Sequence, residues 1–111
     1  MFAEVKSMLP VSGDGYDRDI IIQIKAAVAD LTKTEQIVLP GIVNISISDQ
    51  GVITDNSTLT DEYVITAIGT WCNMHIGNPP NYDNLSKAYH TMKGNMRMSK
   101  AYKAAPEEEG T

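Results

Sequence analysis

A helix, a proline corner and a second helix between Thr60 and Tyr102 constrain the fold of this chain more than any other stretch. In the first helix, residues at helical spacing share one stripe: Val64, Ile68, Trp71, Cys72 and His75. In the second helix, one face carries Tyr82, Leu85, Tyr89, Met92 and Met96. The connection through Pro79 and Pro80 is short, so the two helices are predicted to be antiparallel neighbours that pack stripe to stripe.

The sequence also marks the ends of the first of these helices. Thr60 is predicted to be the N-cap, and Asp61 and Glu62 place negative charge in the first turn, where the helix dipole favours it. Gly77 and the prolines that follow it are a strong stop signal.

The N-terminal part of the chain predicts two further helices. A short one has an apolar face of Phe2, Val5, Met8 and Leu9, and Pro10 prevents it from continuing far. Asp17 is predicted to cap a longer helix that ends near residues 32–34. Its apolar face consists of Ile20, Ile21, Ile24, Ala27, Val28 and Leu31.

Between residues 36 and 58 the apolar residues alternate instead of following helical spacing. Two alternating runs flank the turn-like stretch Asp49-Gln50-Gly51, which predicts a β-hairpin over residues 42–54. A lone hairpin is marginal in water, and it exposes strand edges. Its apolar residues are therefore predicted to contact neighbouring subunits or a partner protein more than they support the monomer fold: Ile42, Val43, Ile45, Ile47, Val52 and Ile53.

The predicted fold is mainly α. It is a small bundle of three main helices plus a short N-terminal helix, with the β-hairpin inserted between the second and third helices. The 111-residue chain is predicted to form one domain over residues 1–105, followed by a disordered acidic tail at residues 106–111. The core is predicted to be anchored by Trp71, Ile68, Leu85 and Tyr89.

The net charge of −5 is divided unevenly along the chain. Residues 1–62 carry four basic and ten acidic side chains, whereas residues 63–106 carry five basic side chains and one acidic side chain. The basic final helix is therefore a solvated face, a polyanion-binding surface, or a surface that pairs with the acidic half of a neighbouring copy. Lys93 and Arg97, one turn apart, are the predicted basic side of a contact between copies.

The single cysteine and the lack of a long apolar run indicate the cellular compartment in which the chain is made. Cys72 has no partner for an internal disulfide, and its place on the apolar stripe predicts a buried, unreactive thiol. No run approaches the roughly 20 apolar residues of a membrane span, and the first residues show no signal-peptide pattern. The chain is therefore expected to be made as a soluble protein in the cytoplasm.

No pattern in the sequence indicates catalysis, a metal or a cofactor. The glycines within residues 12–15 neither follow a strand nor precede a Lys-Ser/Thr pair, so they do not form a phosphate-binding loop. His75 and His90 belong to no ligand motif. His75 is predicted to be partly buried, and His90 to lie at the surface or in an interface. A non-enzymatic role is therefore predicted.

Two stretches carry an ordered set of individually weak signals. The first is the capped amphipathic helix from Asp17 to Leu31. The second, within residues 60–102, has these members: Asp61, Glu62, Ala67, Ile68, Trp71, Gly77, Asn78, Pro79, Asp83, Leu85, Lys87, Ala88, Tyr89, Met92, Lys93, Met96, Met98 and Ser99. In this order and spacing the chain resembles the phage head-tail connector family, the small head-completion adaptors of tailed phages and Gram-positive prophages. The hairpin departs from the shorter loop that family members often have at that point.

The resemblance implies a structural virion protein at the head-tail interface. Such adaptors dock as a ring below the portal after DNA packaging, extend the DNA channel and link the head to the tail. The implied partners are further copies of the chain, the portal protein, the next adaptor or tail protein, and double-stranded DNA that passes without sequence-specific contacts. The ring belongs to the virion, with a monomer as one state in solution, and no membrane is involved.

Two alternatives stay open. The first is a small helical DNA-binding regulator whose basic helix, from Lys87 to Lys103, enters a groove with Asn95 as the reader of base edges. The second is a generic interaction module, such as one partner of a toxin-antitoxin pair.

Overall fold

The computed structural model of the chain describes residues 1–77 and 79–103. Within these residues the elements follow in this order: α1 (Phe2–Ser7), α2 (Asp17–Ala29), β1 (Ile45–Ile47), β2 (Ile53–Asp55), α3 (Glu62–His75) and α4 (Tyr82–Met98). A π-helical turn, Asp30–Thr34, extends α2, and a 3-10 turn, Lys100–Tyr102, follows α4. This order confirms the predicted mainly α fold with a β-hairpin between the second and third helices. The predicted acidic tail lies outside the described residues.

Helix α3 lies at the centre of the molecule, because α1, α2 and α4 all pack against it. Eight of its fourteen residues are buried, so α3 is covered on more than the one stripe that the sequence indicated. A side chain at Gly69 would collide with the sulfur of Met8. The glycine therefore lets the end of α1 lie directly against α3.

The cap of α3 is Asp61 and not, as predicted, Thr60. The Asp61 carboxylate accepts hydrogen bonds from the backbone N–H groups of Tyr63 at 2.9 Å and Val64 at 3.1 Å. A charged acceptor binds these N–H groups more strongly than a hydroxyl group does. At the other end Gly77 has φ 80°, the left-handed conformation in which many helices end.

Helix α2 begins at Asp17, but Asp17 is not its cap. Tyr16 occupies the cap position without a side-chain hydrogen bond. The carboxylate of Asp17 instead pairs with the ammonium of Lys6 at 2.6 Å. This correction follows from α1, which brings a cation to a buried carboxylate, so that Asp17 joins α1 to α2.

The hairpin is longer than predicted, and it has one covered face. Its register pairs Ile45 with Asp55 and Ile47 with Ile53. Backbone hydrogen bonds continue the pairing to residues 42 and 58, beyond the predicted end at residue 54. The face that includes buried Ile45 packs on the helices. The opposite face exposes uncharged residues: Asn44, Ser46, Ser48, Val52, Thr54 and Asn56.

Asp55 ties the hairpin to the start of α1. Its carboxylate accepts hydrogen bonds from the backbone N–H of Phe2 at 2.7 Å and from the ammonium of Met1 at 2.9 Å. Burial acts to raise the pKa of Asp55, but these bonds and those from Ser57 outweigh burial and hold the pKa well below its usual range.

We expect Asp55 to make the chain less stable in acid. A carboxyl group whose pKa is lower in the folded chain stabilises the fold above its unfolded pKa of about 4. This contribution is lost as the pH falls from there through the lower folded-state pKa. Urea unfolding at neutral pH and at about pH 3 should therefore show a smaller pH effect in Asp55→Asn than in the parent chain. Asp49→Asn, in the exposed turn, is the control, and an unchanged pH effect in Asp55→Asn would contradict the expectation.

Candidate functional site

Of the four residues predicted to anchor the core, two lie at its centre and two at its edge. Ile68 and Tyr89 lie at the centre, with 0% and 1% of their surface exposed. Trp71 and Leu85 are only partly buried and pack against the core from its edge. The indole N–H of Trp71 donates a hydrogen bond to the side-chain oxygen of Gln23 at 3.0 Å, which ties α3 to α2.

A row of four aromatic rings crosses from α3 to α4 at this edge. The ring centroid of Trp71 lies 4.4 Å from His75 and 5.2 Å from Tyr89, and Tyr89 lies 5.8 Å from His90. Both histidines are exposed. The exposure of His90 agrees with the predicted position at the surface or in an interface, whereas His75 was expected to be partly buried. The ring of His75 contacts the ring of Trp71, which is itself only partly buried, so His75 lies at the outer end of the row.

Lys93 is not a free surface cation. Its ammonium lies 3.1 Å from Asp30 and 3.2 Å from Glu35, and only 8% of the residue is exposed. Arg97 also contacts Glu35, at 2.6 Å, but the Arg97 side chain remains 54% exposed. The hydroxyl of Tyr89 donates to Asp30 at 2.6 Å. We call these five residues the Lys93 cluster; it joins α4 to the π-helical turn.

The Lys93 cluster shows that the acidic and basic halves of the chain form ion pairs with each other within one molecule. The Lys93 ammonium lowers the pKa of Glu35, while burial and the bond to Asp30 raise the pKa of Tyr89. Glu35 is therefore ionised and Tyr89 protonated at neutral pH. Acidic residues of the first half thus neutralise basic residues of the second half within one molecule. This corrects the assignment of Lys93 to a contact between copies, whereas the same assignment for exposed Arg97 stays a prediction.

The apolar hairpin residues also divide into two groups. Ile45 is buried, and Val43, Ile47 and Ile53 pack against the core of the same chain. These four residues therefore support the monomer fold more than the sequence indicated, and their predicted contact with other subunits stays a prediction. The remaining two, Ile42 and Val52, are 62% and 63% exposed and stay predicted contact residues.

An open groove of about 710 Å³ lies between the end of α1 and the corner that joins α3 to α4. Its lining consists of Met8, Pro10, Val11, Ser12, Tyr16, Asn73, Ile76, Gly77, Pro79, Pro80 and Asn81. The described lining holds no carboxylate, imidazole, ammonium or thiol. The polar groups of the lining are the uncharged side chains of Ser12, Tyr16, Asn73 and Asn81.

In the described part of the chain, no three His, Cys, Asp or Glu side chains lie close enough to share a metal ion. Cys72 is buried as predicted, and burial raises the pKa of its thiol to about 12, so the reactive thiolate is suppressed. None of the helices formed by residues 1–77 and 79–103 is both long and apolar enough to cross a membrane. Comparisons of the chain with protein-family models, curated proteins and solved structures find no match.

Proposed function

We propose that this chain is a structural adaptor of the phage head-tail connector type and that it acts in the virion. In this role, copies of the chain dock as a ring beneath the portal, extend the DNA channel and present a surface to the next adaptor or to the tail. The proposal starts from the resemblance of residues 17–31 and 60–102 to that family. It assigns no catalytic step, metal or cofactor to the chain.

The observation that carries the proposal is the role of the motif residues in the α3–α4 pair. Asp61 caps α3, and Gly77 ends it in the left-handed conformation. Tyr89 and Met96 fill the core beneath α4. The motif therefore specifies one particular helix pair rather than a group of reactive side chains. This supports a protein that acts through its surfaces.

Uncharged exposed surface supports the same conclusion. The outer face of the hairpin carries no charged residue, and Ile42 and Val52 project from the two ends of the hairpin. Met98, at the end of α4, is 78% exposed. The centres of protein interfaces are depleted in charged residues and enriched in methionine, so these features favour association with other proteins.

The contacts of α4 favour the adaptor over the DNA-binding regulator. A regulator would need its cations and its base-reading amide free to enter a groove. Lys93 and Arg97 pair within the chain, and the Asn95 amide donates to the hydroxyl of Tyr63 at 2.9 Å.

Deleting the gene in the phage or prophage that carries it tests the proposal. We expect DNA-filled heads that leak DNA and lack tails, visible by electron microscopy of the lysate. Supplying the chain from a plasmid should restore tailed particles, as should the exposed variant Thr91→Ala. Normal tailed particles without the chain would refute the adaptor role. Nanomolar binding of the purified chain to one duplex sequence at physiological salt would instead support the DNA-binding regulator.

A further inference from the structure

The two edges of the hairpin differ in their protection. Strand edges expose unpaired N–H and C=O groups, and proteins guard them with charges or cover them. At the β2 edge, Asp55 accepts a hydrogen bond from the backbone N–H of Ser57 at 3.1 Å and holds Phe2 beside the strand. The β2 strand therefore carries a charged residue, and the nitrogens of Met1 and Phe2 contact it through the Asp55 carboxylate.

The β1 strand supplies no such protection of its own. Residues 42–48 include no charged residue and no proline. The N–H of Ser48 donates across the turn to the carbonyl oxygen of Val52, the residue before β2. Hydrogen-bonded and non-hydrogen-bonded pairs alternate along an antiparallel ladder. The backbone groups of Ile45 and Ile47 therefore point away from β2. Among the backbone hydrogen bonds that residues 1–77 and 79–103 make outside the helices and the β1–β2 ladder, none is donated by the N–H of Ile45 or Ile47.

We propose that the β1 edge binds the β1 strand of a second copy of this chain in antiparallel orientation. The two hairpins then form one four-stranded sheet. The β1 strand is self-complementary. In an antiparallel pair centred on Ser46, each Ile45 lies opposite Ile47 of the second copy. Apolar residues meet on the face that packs on the helices, and Ser46 meets Ser46 on the exposed face.

The chemistry of the edge favours a second copy as the occupant. Residues 44–48 provide the alternation that continues both faces of the hairpin, and this stretch brings no charge that would oppose the contact. Arg18, whose guanidinium lies 3.0 Å from the carbonyl oxygen of Ser48, marks one end of the available edge. The contact is short, so its affinity is expected to be micromolar or weaker. Two-fold pairing closes on itself, so the proposal concerns the free protein and does not depend on the adaptor role.

Charge substitutions at Ser46 test the pairing by sedimentation velocity over concentrations from about 1 to 500 μM. The parent chain should dimerise as its concentration rises. Ser46→Lys and Ser46→Glu should each weaken the dimer by up to about 5-fold, because like charges would lie opposite each other. An equimolar mixture of the two variants should recover a heterodimer. This recovery requires that the occupant is a second copy whose Ser46 lies at the contact.

Thr54→Lys is the matched control, because Thr54 lies opposite Ser46 on the same exposed face but on the β2 strand. It should dimerise like the parent chain, since the two new charges would be separated by the two central strands. Circular dichroism melting shows whether each variant keeps the fold. A parent chain that stays monomeric at about 500 μM overturns the proposal. A Ser46→Lys dimer as tight as the parent dimer overturns it as well.

Discussion

Lys93→Glu is expected to lower the free energy of unfolding by about 3–5 kcal/mol. This is a large part of the roughly 5–15 kcal/mol that stabilises a domain of this size. The substitution would place three carboxylates together, because Lys93 lies 3.1 Å from Asp30 and 3.2 Å from Glu35 with little access to solvent. Urea unfolding followed by circular dichroism measures the loss.

Two variants of the same helix serve as controls for this prediction. Lys87→Glu makes the same charge change at an exposed position of α4 and should alter stability by less than about 0.5 kcal/mol. Arg97→Glu, half exposed, should cost about 1 kcal/mol. If Lys93→Glu proves as stable as Lys87→Glu, the cluster contributes little to the fold. An assembly defect of Lys93→Glu would therefore reflect lost stability. An assembly defect of the more stable Arg97→Glu would indicate an interface.

Tyr89→Ala is expected to cost about 3–5 kcal/mol, as other buried aromatic truncations do. Tyr89 is 1% exposed, its ring meets Trp71 edge to face, and its hydroxyl donates to Asp30. Removing the side chain leaves a cavity between α3 and α4 and deprives the Asp30 carboxylate of a donor. Thermal unfolding followed by circular dichroism should show a large fall in melting temperature.

Companion variants separate the parts of this effect. Tyr89→Phe keeps the ring and loses only the hydrogen bond, so its cost should be about 1–2 kcal/mol. Trp71→Ala should cost less than Tyr89→Ala, because Trp71 is only partly buried at the edge of the core. If Trp71→Ala loses more stability than Tyr89→Ala, Trp71 is the main anchor of the core, as the sequence pattern predicted.

The sequence by itself determined the elements and their order, because the signals for them are local. Helical spacing predicts α2, α3 and α4, alternation predicts the hairpin, and Gly77 marks the end of α3. Each signal depends on residues a few positions apart, and the physics behind it acts over the same range. The burial of Cys72 follows from its place on a stripe, and this prediction is confirmed.

Only the tertiary structure decided which faces meet and which charges find partners. Lys93 lies 63 residues from Asp30 along the chain, and no spacing rule connects them. Spacing shows that residues share a face, but the neighbour of that face depends on how all the helices pack around α3. For the same reason the apolar face of the hairpin lies against the chain's own helices, and Asp17 serves as a partner of Lys6 instead of a cap.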